Sequence, residues 1–292
     1  MIFDKFIHLP NLILFPIINK DKEIYDNFQY RGYYHEINHD ENIKFAKKIF
    51  GVINKKNLDN IIQDIKKKNS DIYSINIFDK IDQDSQKEIK NFFDKKQRVK
   101  KISDMLGYRV KLRNVSLIVN FFNEYRKKIE GSKMYHRDSD SLNDQVKIFM
   151  LLNNIDENTG MFYFVPKYLI NEDYRLPFEK DRINLDIWDK WRNYDKTVLS
   201  AIQLKKPNTD PNLLVKKLEG KAGETLYIDT GKIYHKGGFV NNQNNMRVLL
   251  QAVYTPILSL SDWNRTSKFK IIKNITNKLT TLRIKLRKLL IL

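Results

Sequence analysis

The chain has 292 residues, 41% hydrophobic and 12% aromatic, enough apolar mass to bury a sizeable core in one domain or at most two. It has no cysteine, which excludes disulfides, iron–sulfur ligation and thiol nucleophiles and leaves His, Asp and Glu to bind a metal. The net charge of +18, from 53 Lys and Arg against 35 Asp and Glu, invites a nucleic-acid or membrane-surface reading. Lysine, asparagine and isoleucine are abundant along the whole chain, however, the mark of a compositional bias, so no specific nucleic-acid partner is expected.

The first stretch, "MIFDKFIHLPNLILFPIINK", is apolar in flavour but interrupted by Asp4, Lys5, His8 and two prolines. It lacks a small-residue cleavage site and is too short and broken to cross a bilayer, so no signal peptide or membrane span is expected and the protein reads as cytoplasmic. Next comes "HEINH", His35 to His39, a literal match to the zinc-hydrolase pattern that needs two histidines one helical turn apart. Asn38 and Asp40 have the character of caps for a helix starting near Glu41, so the motif precedes a helix and is read as a surface turn.

From Asp40 to Lys111, "ENIKFAKKIFGVI", "NLDNIIQDIKKK" and "SQKEIKNFFDKKQRVKKISDML" repeat apolar residues at steps of three and four with charges between them, which predicts a helical N-terminal region over 1–112 packed on the rest. From Val115 the period shortens. "VSLIVNFF", "VKIFMLLN", "MFYFVP", "ETLYIDT" and "MRVLLQAVY" are β-branched or aromatic runs bounded by Asn, Gly, Asp or Pro, predicting a mainly β core over 113–262 of sandwich or jelly-roll type. Within it, 167–215 carries Trp188, Trp191 and many charges and is expected to form a lid that selects the substrate. The tail, 263–292, places Ile271, Ile275, Leu279, Leu282, Leu286 and Leu289 on one helical stripe and has no acidic residue. That pattern suits peripheral attachment to an anionic membrane; docking on the core would use the same stripe, and both readings stand.

The chemistry starts in "MYHRDSD", Met134 to Asp140. Residues two apart on extended chain project to one face, so His136 and Asp138 bring an imidazole and a carboxylate together. A third ligand is available far downstream, where His235 follows a strand and a Gly turn, and Arg247 stands in the next strand. Two histidines and one carboxylate with open positions are the ligand set of non-heme Fe(II) oxygenases, and a guanidinium forks onto a carboxylate through two hydrogen bonds. Taken singly, each histidine could be a core or surface residue and Asp138 a turn cap; the joint order HxD, H, R carries the reading. Asp140 and Asp229 are read as turn residues or braces beside a ligand, and Phe162, Tyr163 and Phe164 as strand core.

These residues resemble the phytanoyl-CoA dioxygenase family of Fe(II) and 2-oxoglutarate dependent oxygenases. The resemblance spans His136 to Tyr254 and is carried by "YHRDSD", "VKIFMLLNNIDENTGMFYFVP", "GETLYIDTGKIYHKGG" and the arginine of "MRVLLQAVY". It implies a double-stranded β-helix (a cupin-like jelly roll), with His136, Asp138 and His235 as iron ligands and catalytic centre and Arg247 as the clamp for 2-oxoglutarate. It further implies O2 as cosubstrate and hydroxylation of an aliphatic C–H bond in an organic substrate: a lipid, a lipid-linked saccharide or a small metabolite. Lys147 lies where relatives carry a lysine and is a second candidate for the cosubstrate carboxylate; a solvated strand face explains it equally well. Two departures stand out: "VPKYLI" replaces a Gly-Ser-His turn at the rim, and Gly237 occupies a position that often carries a hydroxyl. The alternative is a jelly-roll binding or regulatory protein without turnover.

Overall fold

In a computed structural model of the chain, residues 20–53, 55–68, 72–124, 135–138, 145–170 and 194–257 are described. All but Ile257 belong to one unit, Ile17–Pro256. The N-terminal stretch, residues 171–193 of the lid with Trp188 and Trp191, Asp140 and the basic tail lie outside the described residues.

Two antiparallel sheets organise the unit. The larger has six strands in the order β1-β7-β4-β9-β3-β2: β1 (Tyr33–Glu36), β7 (Thr225–Ile228), β4 (Val146–Leu151), β9 (Met246–Pro256), β3 (Val110–Phe121) and β2 (Ser74–Asn76). The smaller has the order β6-β5-β8: β6 (Lys216–Leu218), β5 (Phe162–Phe164) and β8 (His235–Gly237). Among the described residues the ladders of the two sheets do not join into a closed barrel. The long pair β3–β9 forms the spine, since its β-branched and leucine-rich runs are the ones most suited to a doubly covered strand.

Strand alternation sorts the six-stranded sheet into two faces. Leu117, Val119, Ile148, Met150, Val248, Leu250 and Tyr227 are buried on one of them. Helices cover this face: Tyr254 donates to the Phe93 carbonyl at 2.5 Å, Asn42 to Thr225 Oγ1 at 3.2 Å and Arg98 to the Tyr227 hydroxyl at 3.2 Å. Phe149, Leu226, Ile228 and Leu249 point the other way, into a second cluster with Phe162 and Phe164 of the smaller sheet.

The N-terminal third departs from its purely helical expectation in two ways. The anticipated helices form as Asp40–Val52, Lys55–Lys68, Gln83–Phe93 and Lys96–Leu106, with an added one at Lys22–Arg31. The long run from Ser85 is split at Asp94 and Lys95, where the chain leaves helical geometry before restarting. Strands β1 and β2 also emerge from this region and complete both edges of the large sheet. At three and four residues they are too short for period-2 alternation to reveal.

"HEINH" is divided between elements. His35 and Glu36 lie in β1, Asn38 takes a left-handed φ of 57°, and His39 is the N-cap of the helix that begins at Asp40. The two histidines therefore do not share a helical face. The expected caps are displaced by one residue, and the turn reading needs correcting for His35, whose strand pairs with Leu226 and whose Nε2 lies 3.4 Å from Glu224.

Candidate metal centre

His136 does not sit in a regular strand; a single antiparallel bridge pairs it with His235, through His136 N–H to the His235 carbonyl at 3.0 Å and the reverse bond at 2.9 Å. Two residues on, the Asp138 N–H donates to the Thr230 carbonyl at 2.9 Å. This brief extended segment is enough for i and i+2 to project together, with His136 Nε2 3.9 Å from Asp138 Oδ1. His235 opens β8 after the Asp229 turn and brings its Nε2 to 3.8 Å from Asp138 Oδ2. One donor atom from each of the three residues lies within 4.8 Å of the others, a grouping that a single metal ion can bridge.

The protonation states suit ligation. His235 Nδ1 lies 3.0 Å from the Ile233 carbonyl, which assigns the ring proton to Nδ1 and leaves the Nε2 lone pair facing Asp138. Burial, reinforced by neighbouring His136, pulls the His235 pKa down to about 3, so the ring is neutral across the working range, as a metal ligand must be. Burial alone would raise the Asp138 pKa, but Lys147, by charge and hydrogen bond, and a hydrogen bond from Thr230 bring it below its usual value. Its carboxylate is therefore ionised. Gln145, buried beside it, donates to Thr230 Oγ1 at 3.1 Å and lies 3.4 Å from Asp138 Oδ2. Nothing in the local pattern of Gln145 reveals that role, because the contact joins two separate loops.

A cavity of about 190 Å³ opens beside the three ligands and is lined by His136, Asp138, Lys147, Phe162, His235 and Arg247 among others. That is below the ~300–1,000 Å³ of drug-sized sites and suits a small acid. Arg247 is buried, and its Nη1 donates to the Gly160 carbonyl. The "DENTG" turn presents that carbonyl. Asp156 Oδ1 accepts from the N–H groups of Asn158 and Thr159 at 2.9 and 3.0 Å, and Gly160 follows with φ +83°. A Cβ at Gly160 would meet the Phe239 carbonyl carbon at 2.8 Å, so only glycine fits both the angle and the close approach. Lys147 sits 2.7 Å from Asp138 Oδ2 and so engages a candidate metal ligand here. Phe162 belongs to the core, as expected, and also reaches the cavity, its ring centre 5.5 Å from that of His235. Asp229 serves its turn, its carbonyl accepting from Lys232 and Ile233 at 3.1 and 2.9 Å.

No protein-family model matches this sequence, and a search among curated proteins finds no match. Solved structures with some likeness include the non-heme alpha ketoglutarate dependent epimerase SnoN from nogalamycin biosynthesis, at 10% identity over 80% of this chain and 82% of that one, TM-score 0.48. The carbocyclase SnoK from the same biosynthesis is 13% identical over 81% of this chain and 84% of its own, TM-score 0.48. EctD from S. alaskensis, crystallised with 2-oxoglutarate and 5-hydroxyectoine, is 13% identical over 83% of this chain and 82% of its own, TM-score 0.46. With these scores below 0.5, the chemistry of the site is read from this chain's own side chains.

Proposed function

We propose that this protein is an Fe(II) and 2-oxoglutarate dependent oxygenase of the phytanoyl-CoA dioxygenase type, its two sheets forming a double-stranded β-helix, and that it hydroxylates an aliphatic C–H bond of an organic substrate. The observation that carries this reading is the meeting of His136, Asp138 and His235, with donor atoms within 4.8 Å of one another, in one cavity with a buried arginine. Two imidazoles and a carboxylate fit Fe(II) and leave coordination positions open. When bound, iron with 2-oxoglutarate and O2 supplies the oxidising power, coupling decarboxylation of the 2-oxo acid to attack on the substrate.

The remaining work falls to the chain. The Ile233 carbonyl orients His235, and Gln145 and Thr230 brace Asp138. Arg247, anchored on Gly160, holds the distal carboxylate of the cosubstrate. Lys147 steadies the Asp138 carboxylate and is close enough to the ligands to contact an incoming carboxylate as well. Phe149, Phe162 and Leu249 line the cavity with apolar surface, which limits competing water.

His136→Ala, Asp138→Ala and His235→Ala should each abolish iron-dependent succinate formation from 2-oxoglutarate while circular dichroism stays native. His35→Ala and His39→Ala should leave turnover per folded molecule unchanged. Wild-type turnover in any of the first three would overturn the metal assignment. Iron and 2-oxoglutarate binding without succinate release, across a panel of metabolites and lipids, would favour the binding-protein alternative.

A further inference from the structure

Three polar side chains form one row across three adjacent strands. Ser74 of β2 pairs with Asn120 of β3, and Asn120 pairs with Arg247 of β9. Directly paired residues point to the same face of a sheet, and all three line the cavity that holds the candidate metal ligands. Asn120 and Arg247 are buried, at 4% and 5% exposure. Asn120 Nδ2 and Arg247 Nε have no hydrogen-bond partner among the described residues, and burial draws the Arg247 pKa down to about 10 with only Tyr163 opposing the shift. A buried cation with no carboxylate beside it among the described residues, next to a buried amide donor with no acceptor among them, is a costly arrangement unless a ligand completes it. A ligand suited to these two side chains is anionic and accepts from two neighbouring donors. Gly237, which lines the same cavity, adds no side-chain donor of its own.

We infer that Asn120 is a cosubstrate-positioning residue, its Nδ2 and the Arg247 guanidinium together holding the distal carboxylate of 2-oxoglutarate, with the Ser74 hydroxyl closing the row at the sheet edge. This rests on the oxygenase reading and deepens it. Arg247 supplies charge, and Asn120 supplies direction. Because Arg247 Nη1 is committed to Gly160, the fork alone has fewer donors to offer, and the amide across the β3–β9 ladder makes up the second contact.

The test is calorimetric binding to the iron-loaded full chain under anaerobic conditions, with 2-oxoglutarate, with pyruvate, which keeps the 2-oxo acid but lacks the distal carboxylate, and with glutarate on the metal-free chain. Asn120→Ala should weaken 2-oxoglutarate and glutarate binding by about tenfold, the value of one hydrogen bond to a charged group, and leave pyruvate unchanged. Asn120→Asp puts a carboxylate against Arg247, so it should abolish glutarate binding while raising Tm, a combination that a packing role would not produce. Unchanged 2-oxoglutarate affinity in Asn120→Ala overturns the inference, as do equal losses for 2-oxoglutarate and pyruvate, or no glutarate binding by the wild type. Glutarate binding that depends on Asn120 in a chain without 2-oxoglutarate turnover would keep this carboxylate site and overturn the oxygenase reading. Turnover with Asn120-independent affinity would do the reverse.

Discussion

Arg247 shows how one side chain can be tied to structure and remain available to a ligand. The guanidinium carries five donors in a rigid plane, so the bond to Gly160 uses one edge and leaves the rest to the cavity. A lysine would keep the charge and lose the fork. Arg247→Lys is therefore expected to weaken 2-oxoglutarate binding by about tenfold or more, since a point charge cannot reproduce both contacts. Iron affinity should be unaffected because Arg247 is outside the ligand set. Titration of both on the same preparation checks the split: equal 2-oxoglutarate affinity in variant and wild type would assign the clamp elsewhere, and a fall in iron affinity would mean the variant disturbs the histidine pair.

At the level of elements, the helix-covered face of the large sheet carries a polar network that fastens β1 to the helices behind it. Glu36 accepts from Asn42 at 3.0 Å and from the Tyr227 hydroxyl at 2.9 Å and pairs with Lys101, while Arg98 donates to Asn42 Oδ1 at 3.1 Å. Burial pushes the Glu36 pKa up, but Lys101 and the hydrogen bonds from Tyr227 and Asn42 outweigh it and leave the carboxyl below its ordinary 4.5. Because the folded-state value is the depressed one, the stabilisation is fully present above that ordinary value and is lost as pH falls through the folded-state pKa. Glu36→Ala is expected to cost roughly 1–2 kcal/mol, between the cost for an exposed ion pair and that for a fully buried one, because the Glu36–Lys101 pair is partly buried. The wild-type advantage should shrink below pH 4.5. Urea unfolding at neutral and acidic pH measures it, and a mutant cost that stays constant with pH would show that lost packing, not the charge, is responsible.

At the scale of the whole molecule, membrane attachment is a proposal that the tail sequence supports. No described helix is long and apolar enough to cross a membrane; the tail after Trp263 has a sequence that suits a membrane surface. Its stripe from Ile271 to Leu289 and its wholly basic charge predict binding to anionic bilayers that weakens with salt, since the attraction is screened within a Debye length of ~10 Å at 0.1 M. Full-length chain should co-sediment with phosphatidylserine vesicles at low ionic strength, and a chain shortened to end at Trp263 should not. Equal, negligible sedimentation of both would remove the membrane role and, with it, the preference for a lipid or lipid-linked substrate.

What the sequence determined by itself is what depends on near neighbours and on order along the chain. Helices read true where apolar residues recur over ten or more positions, and β3, β4, β7 and β9 were visible as apolar runs, because burial imposes those periods locally. His136 and Asp138 are legible for the same reason, since two residues apart on extended chain project to one face, although the backbone pairing that holds them extended comes from His235 and Thr230. His235 and Arg247 could be named as candidates from type and order, though their convergence on one cavity is a property of the fold. Strands β1, β2, β6 and β8 have only three or four residues each, too few to carry a period, and exist because partners offer free ladder edges. Lys147 is a candidate for the cosubstrate carboxylate by resemblance alone; that it faces Asp138 at 2.7 Å is decided by the fold, which brings the Asp138 loop against β4. The Ser74, Asn120 and Arg247 row has no signature in the chain at all, since it arises from the register of β2 on β3 and of β3 on β9, and register is set by the burial of whole strand faces, which only the tertiary structure brings together.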